Sequence, residues 1–172
     1  MTAEEFAVWA EARPEKHWEL FDGELVLQQS QNWGHARHIR ALVRMFEDDI
    51  AARRLALFVG TQGLVVKAAA HTAFEPDVVV FAGQMDDHDI IVPEPVIVAE
   101  VLSDSTARKD RTVKLEGYFK VPSIAHYLIV DWEKREISHY SREDGGVAKR
   151  VARDGTLILE PFRLKLDLSK VF

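Results

Sequence analysis

The spacing of apolar positions along the chain predicts three helices. Thr2 lies three residues before Glu5, a capping pattern that favours a short helix over residues 3–12. Apolar side chains recur at helical spacing further on and predict a long amphipathic helix from about Trp33 to Arg54, with one face formed by Ile39, Leu42, Val43, Phe46 and Ile50. A third helix is predicted over residues 105–120, where Val121-Pro122 ends it.

Short runs of β-branched and aromatic residues, separated by turn residues, predict strands between and after these helices. They lie on both sides of Asp22-Gly23 within residues 17–29, twice within 55–67, and at 77–82, 95–102, 126–130, 136–140 and 147–151. Helices that alternate with strands in this order predict an α/β fold with a mixed central sheet flanked by helices. A length of 172 residues suits a single domain over residues 1–172.

Composition narrows the functional classes. The chain has no cysteine, which excludes disulfides and thiolate metal sites and leads us to expect a reducing, cytoplasmic location. No basic segment followed by an apolar stretch opens the chain, and no apolar run approaches the roughly 18–20 residues that span a bilayer, so no membrane partner is expected. The net charge of −6 counts against indiscriminate binding to nucleic acid but allows a local basic patch.

Two acidic residues stand inside strand-like apolar sequence. Asp77 opens the run Val78–Phe81, and Glu100 interrupts the run Pro95–Leu102. Burying such a carboxylate is costly unless a positive group meets it. Mg²⁺ prefers oxygen ligands and retains several waters, so these two carboxylates and the backbone carbonyl of Val101 could supply a site for it. The pattern therefore predicts a divalent metal site used in phosphodiester hydrolysis.

Each of these residues also has a simpler interpretation. An acid at the end of a strand often caps a loop or pairs with a surface lysine. Lys114 lies on the helix that leaves the Glu100 strand, where it could orient an attacking water. Asp110 precedes it by four residues, however, so an ordinary ion pair on the helix surface is the alternative.

Three more residues are candidates for contact with phosphate. His35 follows Gly34 at a predicted helix start, where backbone N–H groups favour an anion, although a surface histidine would fit equally well. Arg108 and Arg111 belong to a dense basic patch beside the presumed site. That patch either contacts phosphate or is simply solvated.

At these residues the chain resembles the Uma-type endonucleases, a family of the restriction-endonuclease-like PD-(D/E)XK superfamily. The resemblance covers roughly residues 1–142. It rests on the order and spacing of several short motifs: Trp18 to Leu25, His35, Pro76-Asp77, Ala99 to Ser103, Asp110-Arg111-x-x-Lys114-Leu115-x-x-Tyr118, and Tyr127 to Asp131.

The resemblance implies a restriction-endonuclease-like core in which Asp77 and Glu100 bind the metal. The superfamily places a lysine two residues after the second acid, but this chain has Leu102 there. The family pattern implies that Lys114 has taken over that role. Glu19 matches an acidic position of the opening motif, which implies a third acid at the metal site or a base that positions water.

The sequence therefore predicts an endonuclease that hydrolyses DNA with Mg²⁺ or Mn²⁺. The alternative is a catalytically inactive nuclease fold that binds nucleic acid or protein, which the acidic net charge and the displaced lysine favour. RNA or nucleotides remain a third class of substrate. Cutting both strands requires two sites, so a homodimer is expected, although no segment of the sequence marks an interface.

Overall fold

The structure is a computed structural model that describes residues 1–28, 31–102 and 108–172, the side chains of residues 108–111 excepted. Its helices are α1 (Ala3–Glu11), α2 (Trp33–Arg53), α3 (Arg108–Lys120) and α4 (Leu168–Val171). Its strands are β1 (Trp18–Phe21), β2 (Glu24–Leu27), β3 (Phe58–Thr61), β4 (Val66–Ala69), β5 (Thr72–Phe74), β6 (Val78–Ala82), β7 (Glu94–Val101), β8 (His126–Asp131), β9 (Glu136–Glu143), β10 (Gly146–Ala152), β11 (Thr156–Leu159) and β12 (Leu164–Asp167).

The helix ends form where local chemistry favours them. In α1 the backbone N–H of Glu5 donates to the Thr2 hydroxyl, and the Glu5 carboxylate accepts from the Thr2 N–H. Helix α2 starts after Asn32, whose side-chain oxygen accepts from the His35 N–H, and ends at Arg54, which adopts a left-handed φ of 53°. Among the described helices, none has the length and apolarity that crossing a bilayer requires.

The strands form a mixed arrangement, which confirms the predicted fold class. The larger sheet has the order β10-β9-β8-β7-β6-β3, with β7 and β8 parallel and the other neighbours antiparallel. A second sheet has the order β2-β1-β5-β4, and β11 pairs with β12. Strands β6 and β7 pair Val78 with Ala99, so the preceding Asp77 and the following Glu100 lie across from each other at one end of this pair. The two predicted acids are therefore neighbours.

Helices cover both faces of the larger sheet. One face packs against α2 and the C-terminal hairpin, which β11 and β12 form. The residues of this cluster include Val78, Val80, Ala99, Ile39, Phe46 and Leu166. The other face packs against α3, in a cluster that includes Val79, Val98, Ile129 and Tyr118. Because side chains alternate along a strand, Asp77 and Glu100 belong to the α3 face.

The pattern of the sequence did not predict β5 or any element after β10. These elements are three or four residues long, too short for a period of alternation to stand out. The C-terminal hairpin nevertheless supports α2. The Arg53 guanidinium donates to the backbone carbonyls of Phe162 and Arg163, and the Lys165 N–H donates to Asp49 at 3.0 Å.

Helix α3 approaches the smaller sheet closely at Gly117. A Cβ added there would lie 2.3 Å from Cε2 and 2.9 Å from Cζ of Phe74. The missing side chain thus leaves room for the Phe74 ring, which also makes an edge contact with Tyr118 at 5.3 Å. This close packing holds α3, the helix that carries Lys114 and Tyr118, against the smaller sheet.

Replacing Gly117 with alanine should destabilise the fold, although alanine is the better helix former by about 1 kcal/mol. The extra methyl group would overpack the contact with Phe74, at a cost of about 1–3 kcal/mol. Urea denaturation should therefore show a lower free energy of unfolding for Gly117→Ala. The exposed Thr112→Ala in the same helix is the control and should be neutral or slightly stabilising. Equal stabilisation by both substitutions would contradict the close approach.

Candidate metal and catalytic site

Asp77 is held by hydrogen bonds from three directions. Its Oδ2 accepts from the Val101 N–H at 2.7 Å and from Nε2 of His35 at 3.0 Å. Its Oδ1 accepts from Nε2 of Gln31 at 3.0 Å. These donors compensate the desolvation of a buried carboxylate and fix its orientation. Strand β7 and the start of α2 therefore position Asp77 together.

Glu100 faces the described side chains of α3. Its Oε1 accepts hydrogen bonds from the Tyr118 hydroxyl at 2.8 Å and from Nζ of Lys114 at 3.1 Å. Burial raises the pKa of Glu100 to about 7. Lys114 and the Tyr118 hydroxyl lower this pKa, whereas the negative charges of Asp77 and Glu19 raise it further. The carboxylates of Asp77 and Glu19 thus lie close enough to repel that of Glu100.

Lys114 connects the two sheets. Its Nζ lies 2.7 Å from Oε1 of Glu19 in β1 and 3.1 Å from Oε1 of Glu100 in β7, and its side chain is only 12% exposed. Burial alone would lower the pKa of Lys114, but Glu100 and Glu19 raise it well above its ordinary value. Lys114 therefore carries a positive charge at neutral pH. Its contacts are not limited to an ion pair on the surface of α3.

Glu19 is also held by the segments around it. Its Oε1 accepts from the Glu75 N–H at 3.0 Å, and its Oε2 accepts from Nε2 of Gln28 at 2.8 Å. The sequence placed Glu19 in the first hairpin, and the structure brings it to Lys114 beside the predicted metal site. Sequence reasoning found neither Gln28 nor Gln31. Each reaches its acid from a short connecting segment, where no periodicity shows which way a side chain points.

His35 is buried, so the interpretation as a surface histidine is wrong. Its Nε2 lies 3.0 Å from Oδ2 of Asp77. Burial lowers the pKa of His35, but Asp77, the Val101 carbonyl and Glu100 outweigh it and raise this pKa above its usual value. Arg108 and Arg111 lie in the first turn of α3, and their side chains are outside the described residues.

The donor set fits Mg²⁺ or Mn²⁺, which prefer oxygen ligands. The described residues contain no group of three or more histidine or acidic side chains that could hold a metal by themselves. An open site, however, needs only one or two carboxylates, since waters and a substrate phosphate complete the shell. Asp77 and Glu100 would supply those carboxylates. The Val101 carbonyl lies close enough to His35 to affect its pKa and offers a third oxygen near Asp77.

Comparisons with known proteins give the relatives of the chain. A family model named Uma2 and described as "Putative restriction endonuclease" matches residues 3–169. The uncharacterised protein sll1609 of Synechocystis sp. PCC 6803 is 30% identical over 145 residues, 83% of this chain and 81% of the relative. The uncharacterised protein slr1290 of the same organism is 29% identical over 150 residues, 85% and 76% of the two chains.

A solved structure shares the fold. It is described as a putative nuclease belonging to DUF820 from Anabaena variabilis and superposes with a TM-score of 0.77. The match covers 100% of this chain and 97% of the other, with 16% sequence identity. At that identity the likeness establishes a shared fold, and the residues of the site are argued from their own geometry.

Glu100→Gln should raise the melting temperature without metal, and more so at pH 8 than at pH 5. The folded pKa of about 7 exceeds the ordinary value of 4.5, so the stability associated with Glu100 is complete below pH 4.5 and is lost as the pH rises through 7. Glutamine retains an oxygen that can accept from Tyr118 and Lys114 but carries no charge. We expect a gain of roughly 5 °C at pH 8 in calorimetry.

Glu116→Gln, at an exposed position of α3, removes the same charge and should change little at either pH. A lower melting temperature for Glu100→Gln at pH 8 would instead make Glu100 a structural partner of Lys114 and Tyr118.

Proposed function

Because the chain belongs to the Uma2 family, described as "Putative restriction endonuclease", we propose that it hydrolyses phosphodiester bonds of DNA with Mg²⁺ or Mn²⁺. The family and the fold support a nuclease-like function. The observation that carries the finer proposal is the position of Lys114. This charged lysine lies beside one of two acids on paired strands, where attacking water and phosphate would meet.

Asp77, Glu100 and the Val101 carbonyl would hold the cation. When bound there, a divalent ion lowers the pKa of water and neutralises charge that develops on the phosphate. Asp77 is presented in one orientation because Gln31, His35 and the Val101 N–H all hold it. His35 and Gln31 are therefore positioning residues in this proposal, and they act through Asp77.

Lys114 supplies a positive charge from the protein itself, in addition to that of the metal ion. Its ammonium group has three N–H donors, and Glu19 and Glu100 each accept one of them. The remaining donor can bind the attacking water or a phosphate oxygen. Glu19 accepts from the same ammonium group as Glu100 does. It is the candidate for an additional metal ligand or for a base that positions the attacking water. Arg108 and Arg111 remain candidates for contact with the DNA backbone.

One observation favours a non-catalytic protein as the second candidate. The same ion pairs that hold Lys114 would also satisfy a purely structural network, and the net charge of −6 disfavours tight binding to DNA. A nuclease fold kept for binding nucleic acid or protein would have this appearance. Such a protein has no need of a metal, so metal binding separates the two candidates.

Titration calorimetry with Mn²⁺ should detect a site that is lost in both Asp77→Asn and Glu100→Gln. Each substitution removes one charged oxygen ligand and keeps the shape of the side chain. The control is Asp87→Asn in the exposed loop after β6, which makes the same chemical change away from the site. Binding like that of the wild type in both site variants would remove the metal from the proposal.

Lys114→Met should lower DNA cleavage by about 10²-fold, the scale seen when one electrostatic group is removed from a site. Methionine retains the aliphatic stem and the helix propensity. Without metal the variant should also melt at a lower temperature, because Glu19 and Glu100 lose their shared cation. Mn²⁺ should bind equally well or more tightly, since a competing positive charge is gone.

The assay compares supercoiled plasmid, single-stranded DNA and RNA, with Lys120→Met at the exposed end of the same helix as the control. Cleavage at the wild-type rate by Lys114→Met would overturn the role of this lysine. Cleavage of RNA alone would change the substrate class and leave the site assignment intact.

A further inference from the structure

Strand β2 exposes an apolar edge. It is the terminal strand of the sheet β2-β1-β5-β4. All four of its residues are exposed, with Leu25 at 37%, Val26 at 40% and Leu27 at 49% of their full accessible area. Such an edge offers backbone N–H and C=O groups to another strand, and charged side chains along the edge are one of the ways in which proteins prevent that pairing.

The hydrogen bonds within the hairpin show which groups face outward. Gln28 donates its N–H to the His17 carbonyl at 2.9 Å. Hydrogen-bonded and non-hydrogen-bonded residue pairs alternate along antiparallel strands. Because Gln28 is hydrogen-bonded to His17, the next pair, Leu27 with Trp18, is not, and Val26 exchanges hydrogen bonds with its partner Glu19. By the same alternation, the N–H and C=O groups of Leu25 and Leu27 point away from β1 and toward the open side.

An edge strand of the larger sheet differs from β2 in its charge. Strand β10 is also a terminal strand and also exposes valines, with Val147 at 45% and Val151 at 44%. Its central residues, however, are Lys149 and Arg150. If β10 paired antiparallel with β10 of a second copy about Lys149, the two lysines would face each other. Like charges therefore protect β10 from edge-to-edge pairing, and β2 has no such protection.

We propose that β2 pairs antiparallel with β2 of a second copy of this chain. With a twofold axis at Val26, Val26 faces Val26 of the other copy, and Leu25 faces Leu27 of the other copy. The outward N–H and C=O groups of Leu25 and Leu27 then exchange hydrogen bonds across the axis, as the alternation requires. The sequence of β2 is therefore complementary to itself in this register.

Charge supports the same register. Glu24 meets Gln28 of the second copy, so no two like charges face each other along the strand. Both molecules have a net charge of −6, and general repulsion would keep them apart elsewhere on their surfaces. The apolar β2 edge is where that repulsion is least and where exposed leucine and valine side chains become buried.

The pairing would join the two four-stranded sheets into one and place both sites on the same side of it. Glu19 pairs with Val26, so the two Glu19 residues would be three strand spacings apart, about 14 Å between backbones. Two sites that face one way could act on both strands of one duplex. Assembly of the two copies can be measured without any cleavage, so its outcome is independent of the proposed function.

Cross-linking tests the register directly, because the chain contains no cysteine of its own. Val26→Cys should form a covalent dimer under mild oxidation. Facing residues of a non-bonded antiparallel pair have Cα atoms about 4.5 Å apart, within the range that a disulfide spans. Val151→Cys on β10, similarly exposed at 44%, is the control and should remain monomeric. Equal cross-linking of the two variants, or none in Val26→Cys, would overturn the proposal.

Sedimentation of the native sequence supplies the second test. The wild type should be a dimer at micromolar concentration, and Leu25→Lys/Leu27→Lys should be a monomer, because lysines then face each other across the axis. Leu25→Lys/Leu27→Glu should recover the dimer, since each lysine then faces a glutamate of the other copy. A monomeric wild type, or a rescue variant that stays monomeric while its circular dichroism is native, would overturn the pairing.

Discussion

The site depends on one buried positive charge. Lys114 lies between Glu19 of one sheet and Glu100 of the other, and both contacts are short enough for charge-assisted hydrogen bonds. Without this ammonium group, three neighbouring carboxylates would share a poorly solvated space, which is costly. The lysine therefore links α3 to both sheets, and in the proposed function it would also supply a positive charge to the phosphate.

Asp77 and Glu100 differ in their surroundings. Asp77 accepts hydrogen bonds from a backbone amide, a glutamine and a histidine, which together fix the orientation of its carboxylate. Glu100 meets a lysine and a tyrosine but lies among other negative charges, and burial raises its pKa to about 7. Asp77 is thus fixed in orientation, whereas the raised pKa of Glu100 allows that carboxyl group to change its charge near neutral pH. In the proposed metal site, this difference would let one acid stay in place while the other responds to the charge of the cation.

The larger elements could be predicted from the sequence because their periodicity is long or their chemistry local. The helix after Asn32, the hairpin at Asp22-Gly23 and the pairing of the strands that carry Asp77 and Glu100 all agree with expectation. The contacts of His35, Gln28 and Gln31 could not be predicted. His35 and Gln31 contact Asp77, which is distant in sequence, through side chains whose direction depends on how α2 meets the sheets. Gln28 contacts Glu19 of the same hairpin, but it lies beyond the end of β2, where no alternation shows which way its side chain points. The strands of the C-terminal hairpin are too short to show a period.

That C-terminal hairpin has a consequence for the order in which the site forms. Arg53 and Asp49 tie α2 to residues 162–165, and Leu166 packs in the same cluster as Ile39. Helix α2 in turn carries His35, which orients Asp77. Synthesis runs from the N-terminus, so every residue of the site leaves the ribosome before the hairpin that supports α2. A nascent chain therefore holds all the site's chemistry before it has the packing that makes it rigid.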